Sequence, residues 1–252
     1  MSQCSRTFVL IPGASHGGWC YGRVAERLRG QGHRVFTPTL AGVGERFAEN
    51  RSRRVGLTDH VREVIALFER ESLDDVVLCG HSYGGMVIAG VADAIPDRIA
   101  NLVFLDAVVP ESGKCMSDYT FPGLKRLPIL AAVWLLGRGR TLVAPPAKFF
   151  NVNLADRAMV DAKMTPHPFG SLQEKIRIGS SADRIPGHTY IFATDWGFAP
   201  IVAQYEQAKA RPGWAVFEVA CGHDIMIDAP DRLAEILAGL APPPTQPASP
   251  RP

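Results

Sequence analysis

Short apolar runs alternate along this chain with longer stretches in which apolar positions recur every three or four residues. Those are the two periods that separate strands from amphipathic helices. "TFVLIPG" reads as a first strand, "WCYGRVAERLRGQG" as a helix closed by glycine, and "HRVFTPTL" as a second strand. In "TDHVREVIALFERE" the residues Val61, Val64, Ile65 and Phe68 fall at helical spacing, with Thr58 placed as N-cap. "DDVVLCG" is apolar at successive positions, the pattern of a strand buried on both faces of a parallel sheet. "GGMVIAGVADAIP" reads as helix and "NLVFLDAVVP" as strand; after a break, "HTYIFAT", "IVAQYEQAKARP", "WAVFEVA" and "PDRLAEILAGL" resume the alternation. Strand and helix in turn predict the α/β class, a mostly parallel, doubly wound sheet covered on both faces.

Regularity fails across about 111–184, a stretch rich in Pro, Gly and basic residues. It is expected to form a helical lid inserted over the C-terminal edge of the sheet. Residues 1–240 then form a single domain, and the Pro-rich 241–252 is expected to be a disordered tail. No internal repeat interrupts this plan.

Composition narrows the picture. With 252 residues, 46% hydrophobic and 21% charged, the chain is long enough to bury a sizeable core. The net charge is only +2 and no basic stripe is interleaved with aromatics, which argues against nucleic acid and membrane as partners. The local basic run "RSRRVG" is expected to be a solvated loop. The apolar run "ILAAVWLLG" falls well short of the ~20 residues that span a bilayer, so it reads as a lid helix or a core segment. "MSQCSRTFVLIPG" lacks the pattern of a secretion signal. Cys4, Cys20, Cys79, Cys115 and Cys221 are scattered without C-x-x-C spacing. Reduced thiols, a cytoplasmic location, no metal and no cofactor are the expectations. A homodimer stays open as the assembly.

Candidate chemistry centres on "LCGHSYGGM", where Gly80-His81-Ser82-Tyr83-Gly84 has the spacing of a nucleophile elbow. In that motif a strand ends, the serine sits on a strained turn, and a helix leaves at once. Side chains two positions either side of Ser82 would collide with neighbouring elements, hence the glycines. The hydroxyl needs a base, a group to orient that base, and donors for an oxyanion. His223, in the loop "VACGHDIMIDAP" after the last strand, is placed as the base. His33, His60, His167 and His188 carry no such positional argument.

Two aspartates compete to orient the base. Asp195 in "FATDWGF" follows the next-to-last strand, and Asp106 in "VFLDAVVP" ends the strand after the elbow helix. A carboxylate flanked by apolar residues is costly to bury unless hydrogen-bonded, which favours Asp106 and leaves Asp195 as the alternative. Asp224 and Asp228 read as loop or cap residues, and Cys221 as a packing residue. The oxyanion donors are expected to be the backbone N–H groups of Tyr83 and of Ala14, in the loop "IPGASHGGW". Gly13 and His16 in that loop, His81 in the elbow and Trp134 in the insertion are the candidate substrate-binding residues. Phe121, Leu124, Phe149 and Phe150 make the insertion suited to an apolar acyl or ring system.

Together, "FVLIPGASHGGWCY", "GHSYGGMVIAG", "FLDAVVP" and "CGHDIMIDAP" resemble the α/β-hydrolase superfamily, in particular the branch of hydroxynitrile lyases, plant methylesterases and related bacterial esterases. The resemblance runs from Phe8 to about Leu240 and is weakest across the insertion. It implies the roles above for Ser82, His223, Ala14 and Tyr83. Plant members favour Asp195 as the acid and bacterial relatives favour Asp106. The lyases carry a threonine and a lysine where this chain has Gly13 and Asp224, and Pro12 stands where many relatives have histidine. Without that lysine nothing stabilises a leaving cyanide, so lyase activity is not expected. The expected activity is serine-dependent hydrolysis of an apolar carboxylic ester through an acyl-enzyme. Thioester hydrolysis or acyl-transfer cyclisation by the same residues is the alternative, and a small-ligand binder without turnover is the rival from another class.

Overall fold

A computed structural model describes residues 5–240; Cys4 and the expected tail at 241–252 lie outside the described residues. The apolar runs form β1 (Thr7–Ile11), β2 (Arg34–Phe36), β3 (Val76–His81) and β4 (Ile99–Leu105). The insertion adds a short antiparallel pair, β5 (Thr141–Leu142) and β6 (His167–Pro168), before β7 (Gly187–Ala193) and β8 (Trp214–Val219) complete the main sheet. That sheet has the order β2-β1-β3-β4-β7-β8, and its pairings are all parallel. The helices, in chain order, are α1 (Gly22–Gly30), α2 (Glu49–Ser52), α3 (Leu57–Arg70), α4 (Gly84–Ala94), α5 (Met116–Thr120), α6 (Arg126–Leu135), α7 (Arg157–Lys163), α8 (Phe169–Gln173), α9 (Ala199–Lys209), α10 (Ile225–Asp228) and α11 (Pro230–Gly239). The α/β-hydrolase fold follows, with helical insertions between β4 and β7.

Strand side chains alternate between faces, and the two cores follow that alternation. Val9, Ile11, Leu78, Leu102, Phe104 and Tyr190 pack with α3, α4 and α9. Phe8, Leu10, Val77, Cys79, Val103 and Ile191 pack on the opposite face with α1 and α11. Each fully buried Leu, Ile or Val contributes ~1.5–3 kcal/mol of transfer free energy. The central strands β1, β3 and β4 thus anchor the loops at their C-terminal ends.

Several local expectations are corrected. β2 stops at Phe36, ahead of Pro38, which has no N–H to give to a ladder. The N-cap of α3 is Gly56 rather than Thr58; Asp59 Oδ2 accepts the Gly56 N–H at 2.8 Å, while Thr58 bonds to Glu174. The run expected as a loop at 51–56 begins inside α2, and Arg53 pairs with Asp59 at 2.8 Å. The apolar run from Ile129 lies in α6, with Val133 buried but Leu127 60%, Trp134 75% and Leu135 81% exposed. Among the described residues no helix is long and apolar enough to cross a membrane.

Candidate active site

β3 ends at His81, and the chain turns through Ser82 at φ 52° before α4 starts at Gly84. A left-handed backbone is uncommon for a residue with a Cβ. Here it is held by neighbours: the Ser82 N–H donates to Leu105 O at 3.1 Å, and its carbonyl accepts from Gly85 at 3.1 Å. The turn is tight enough to require glycine around it. A Cβ on Gly80 would lie 2.5 Å from Gly84 O, and one on Gly13 would lie 2.7 Å from His81 Nδ1 and 3.0 Å from Ser82 Cβ. The loop after β1 therefore touches the elbow directly.

His223 follows β8, its N–H bound to Phe150 O at 2.8 Å. Its Nδ1 lies 2.6 Å from Asp106 Oδ2. Asp106 is fully buried at the end of β4, where its N–H donates to Ile191 O at 2.7 Å and its Oδ1 accepts the Ala193 N–H at 3.0 Å. A carboxylate can only accept, so Nδ1 carries the imidazole proton and Nε2 offers its lone pair. Burial lowers the His223 pKa below the ordinary 6.5, keeping the resting ring neutral, and burial raises that of Asp106 against the Ala193 hydrogen bond. Asp195 is instead exposed; its carboxylate accepts from Thr194 Oγ1 at 2.7 Å and does not meet His223. Ser82 is half-buried, and among the described residues its hydroxyl has no hydrogen-bond partner, His223 included. His81 links the two, adjoining Ser82 in the chain with its ring 4.4 Å from that of His223.

Among the described residues neither the Ala14 N–H nor the Tyr83 N–H has an acceptor in the protein. His16 and His81, expected to face substrate, are both buried; His16 bonds to Asp224, whereas His81 Nε2 donates to His223 O at 3.1 Å. His16 Nε2 lies 3.2 Å from Asp224 Oδ2, and His81 Nε2 lies 3.8 Å from Asp224 Oδ1. Burial alone would raise the Asp224 pKa; the pull of His16, their hydrogen bond, and the pull of His81 and His223 instead bring it down to about 2. Burial likewise opposes charge on His16, but Asp224 more than offsets it and raises that pKa. Asp224 is thus a buried ion-pair partner and makes no cap, because its carboxylate is turned inward from the start of α10. Asp228 does serve the loops, accepting from Asn153 at 3.0 Å and Gly222 at 3.2 Å. Cys221 is no thiolate, since burial pushes its pKa up to about 12.

Trp134 sits on the exposed face of α6 and is not among the rings that touch His223. Those rings are Trp196, stacked at 3.8 Å, His81, at 4.4 Å, and Phe150, at 5.5 Å. The Trp196 indole N–H is fixed on Phe149 O at 2.8 Å. No pattern in the sequence singles out Trp196; only its contact with His223 across the fold does.

Residues 8–236 match the Alpha/beta hydrolase family. The chain is 41% identical over 241 residues to the carbendazim hydrolyzing esterase of Nocardioides sp., covering 92% of this chain and 98% of that protein. It is 29% identical to the pyrethroid hydrolase of Sphingobium wenxiniae, over 94% of this chain and 88% of the relative. Among solved structures, an extracellular alpha/beta-hydrolase from a Paenibacillus species superposes with a TM-score of 0.79 at 28% identity, covering 94% of this chain and 100% of that one. That last likeness overturns the expected cytoplasmic location. Cys20 and Cys79 are buried together on one face of the sheet, where burial holds both as protonated thiols in any compartment.

Proposed function

Because the chain belongs to the alpha/beta hydrolase family and is a serine-type esterase of small-molecule carboxylic esters, we propose that Ser82 is its nucleophile, His223 its base and Asp106 the carboxylate that orients the base. The observation that carries this reading is the 2.6 Å contact of His223 Nδ1 with Asp106 beside a serine held at φ 52°. Ser82 Oγ attacks the ester carbonyl carbon as its proton passes to His223 Nε2. Asp106 stabilises the imidazolium so formed. The carbonyl oxygen, now negative, takes the free N–H groups of Ala14 and Tyr83, each such donor being worth ~2.7–4 kcal/mol in the transition state. Collapse of the adduct expels the alcohol, which receives the His223 proton, and leaves acyl-Ser82. Water then gives its proton to His223 and its oxygen to the acyl carbon, releasing the acid and restoring Ser82.

The substrate we infer is an apolar ester with a ring system. Support comes from the aromatic group Phe149, Phe150, Trp196 and Phe198 around His223, and from relatives named for hydrolysing carbendazim and pyrethroids. Residues 111–184 serve as its lid within a single domain, and Gly13, with no Cβ to meet His81 and Ser82, lets the Ala14 loop close on the elbow. The outward apolar stripe of α6 supports a homodimer; light scattering that gives a monomer mass at micromolar concentration refutes that assembly. For the chemistry, Ser82→Ala should abolish hydrolysis of a p-nitrophenyl ester and labelling by a fluorophosphonate. Parent-level turnover in that variant sinks the proposal.

A further inference from the structure

Ser15 stands next to the proposed oxyanion donor Ala14 with φ at 67°, a conformation that needs support from outside the loop. The peptide plane joining Ala14 to Ser15 is gripped at both ends. Its carbonyl, on Ala14, accepts from His16 Nδ1 at 2.9 Å, and its N–H, on Ser15, donates to His167 Nδ1 at 3.1 Å. The next carbonyl, of Ser15, accepts the Thr165 N–H at 3.1 Å. The plane before it, which carries the Ala14 N–H, is itself held by its Gly13 carbonyl, which accepts the His16 N–H at 3.3 Å. Peptide units are rigid, so both sides of the Ala14 Cα are fixed and the donor's direction with them. Two of these four bonds come from the insertion, 150 or more residues away in sequence.

The His167 ring is held in one orientation. It is buried, and because Nδ1 accepts the Ser15 N–H its proton must sit on Nε2. There it meets Ser171 Oγ at 3.0 Å, whose own hydrogen goes to Pro168 O at 2.8 Å. Each group in the chain has a partner and only one tautomer fits. Burial drives the ring's pKa well below the ordinary value, which preserves the accepting lone pair. The same imidazole packs edge-on against Tyr83 with ring centroids 4.8 Å apart, and the Tyr83 hydroxyl is tied to His60 Nδ1 at 2.8 Å. One side chain of the insertion therefore touches both residues adjoining or supplying the oxyanion N–H groups.

We propose that His167 is the positioning residue of the oxyanion hole, holding the Ala14 and Tyr83 N–H groups in their working directions from the insertion. The proposal rests on the reading of Ala14 and Tyr83 as the donors. It makes the insertion part of the catalytic framework as well as a cover. Displacing residues 165–171 would release the donor loop, so turnover is coupled to the seating of that segment.

The test compares His167→Ala with His167→Asn, whose amide oxygen offers an acceptor near the position of Nδ1. With a p-nitrophenyl ester, H167A should lose about ten- to a hundredfold in kcat, below the full effect of deleting an oxyanion donor, with KM unchanged. H167N should recover most of that loss. A trifluoromethyl ketone, which mimics the tetrahedral adduct, should bind H167A more weakly by the same factor, while a product carboxylate binds equally well. Parent-level kcat in H167A, or equal loss in the two variants at equal thermal stability, overturns the proposal. Should H167A fail to fold, Ser171→Ala decides, since it frees the tautomer but leaves the ring packed. Reduced kcat with parental KM supports the role, and parental kcat overturns it. Failure of the Ser82 reading is distinguishable, because it appears as activity in S82A whatever His167 does.

Discussion

Replacing Asp106 by Asn tests the centre of the site with almost no change of shape. The side chain is fully buried and holds two partners, His223 Nδ1 at 2.6 Å and the Ala193 N–H at 3.0 Å. An amide oxygen can still accept from Ala193, which turns the amide NH2 toward His223. A donor there demands that Nδ1 accept, so the imidazole proton moves to Nε2, the atom that must receive the proton of Ser82. The resting base is then blocked. A wrong tautomer in such an arrangement costs on the order of 10⁴ in kcat, or ~5.4 kcal/mol at ~1.36 kcal/mol per tenfold. Steady-state hydrolysis of a p-nitrophenyl ester reads this directly, with active sites counted by fluorophosphonate titration of the parent. Asp195→Asn is the control. Its carboxylate is exposed and bonded to Thr194, so kcat should stay within about threefold, as for a surface change remote from the chemistry. A D106N enzyme with more than a tenth of parental kcat, or a D195N enzyme as impaired as D106N, would refute the assignment.

Two further outcomes follow from the buried charges. His223 must be neutral to act as base, and burial lowers its pKa, so the acid limb of kcat/KM should fall below the ordinary 6.5; a midpoint at or above 6.5 contradicts the geometry. Asp224→Asn strips His16 of its buried counter-charge and should cost about 3 kcal/mol, seen as a lower urea midpoint. The pH dependence has a definite sign. Asp224, with its pKa held down, stabilises the fold above 3.8 and loses that contribution as pH falls toward about 2; His16, with its pKa raised, stabilises below 6.5 and loses its contribution as pH climbs through the raised value. The parent should therefore exceed D224N most between 3.8 and 6.5, and a gap independent of pH would refute the ion pair.

Much of this architecture is legible in the order of residues, and the reason is local. β3 from Val76 to Cys79 and β4 from Leu102 to Leu105 are apolar at successive positions because both faces are covered, and Gly80 and Gly84 flank Ser82 because a Cβ has no room there. His223 is legible from topology, since the loop after the last strand must reach the elbow. The choice between Asp106 and Asp195 depends on which strand end lies over the imidazole, a question of sheet geometry that the burial cost of a carboxylate only biases. The insertion resists reading for a different reason. α5 and α8 are too short for a period to show, and α6 turns Leu127, Trp134 and Leu135 outward where the usual rule for a surface helix turns them in. His167 and Trp196 gain their meaning only from contacts across the fold, the first reaching 152 residues back to Ser15. No spacing along the chain announces such contacts.

If Asp106 on β4 is the carboxylate, as proposed, the segment after β7 supplies no acid to the proton transfer. Residues 194–198 place aromatic rings beside the proposed base: Trp196 lies flat on the imidazole and Phe198 packs beside Trp196 at 4.8 Å. On the proposed assignment this short stretch bears on what the enzyme accepts, and through Trp196 also on the surroundings of the His223 ring.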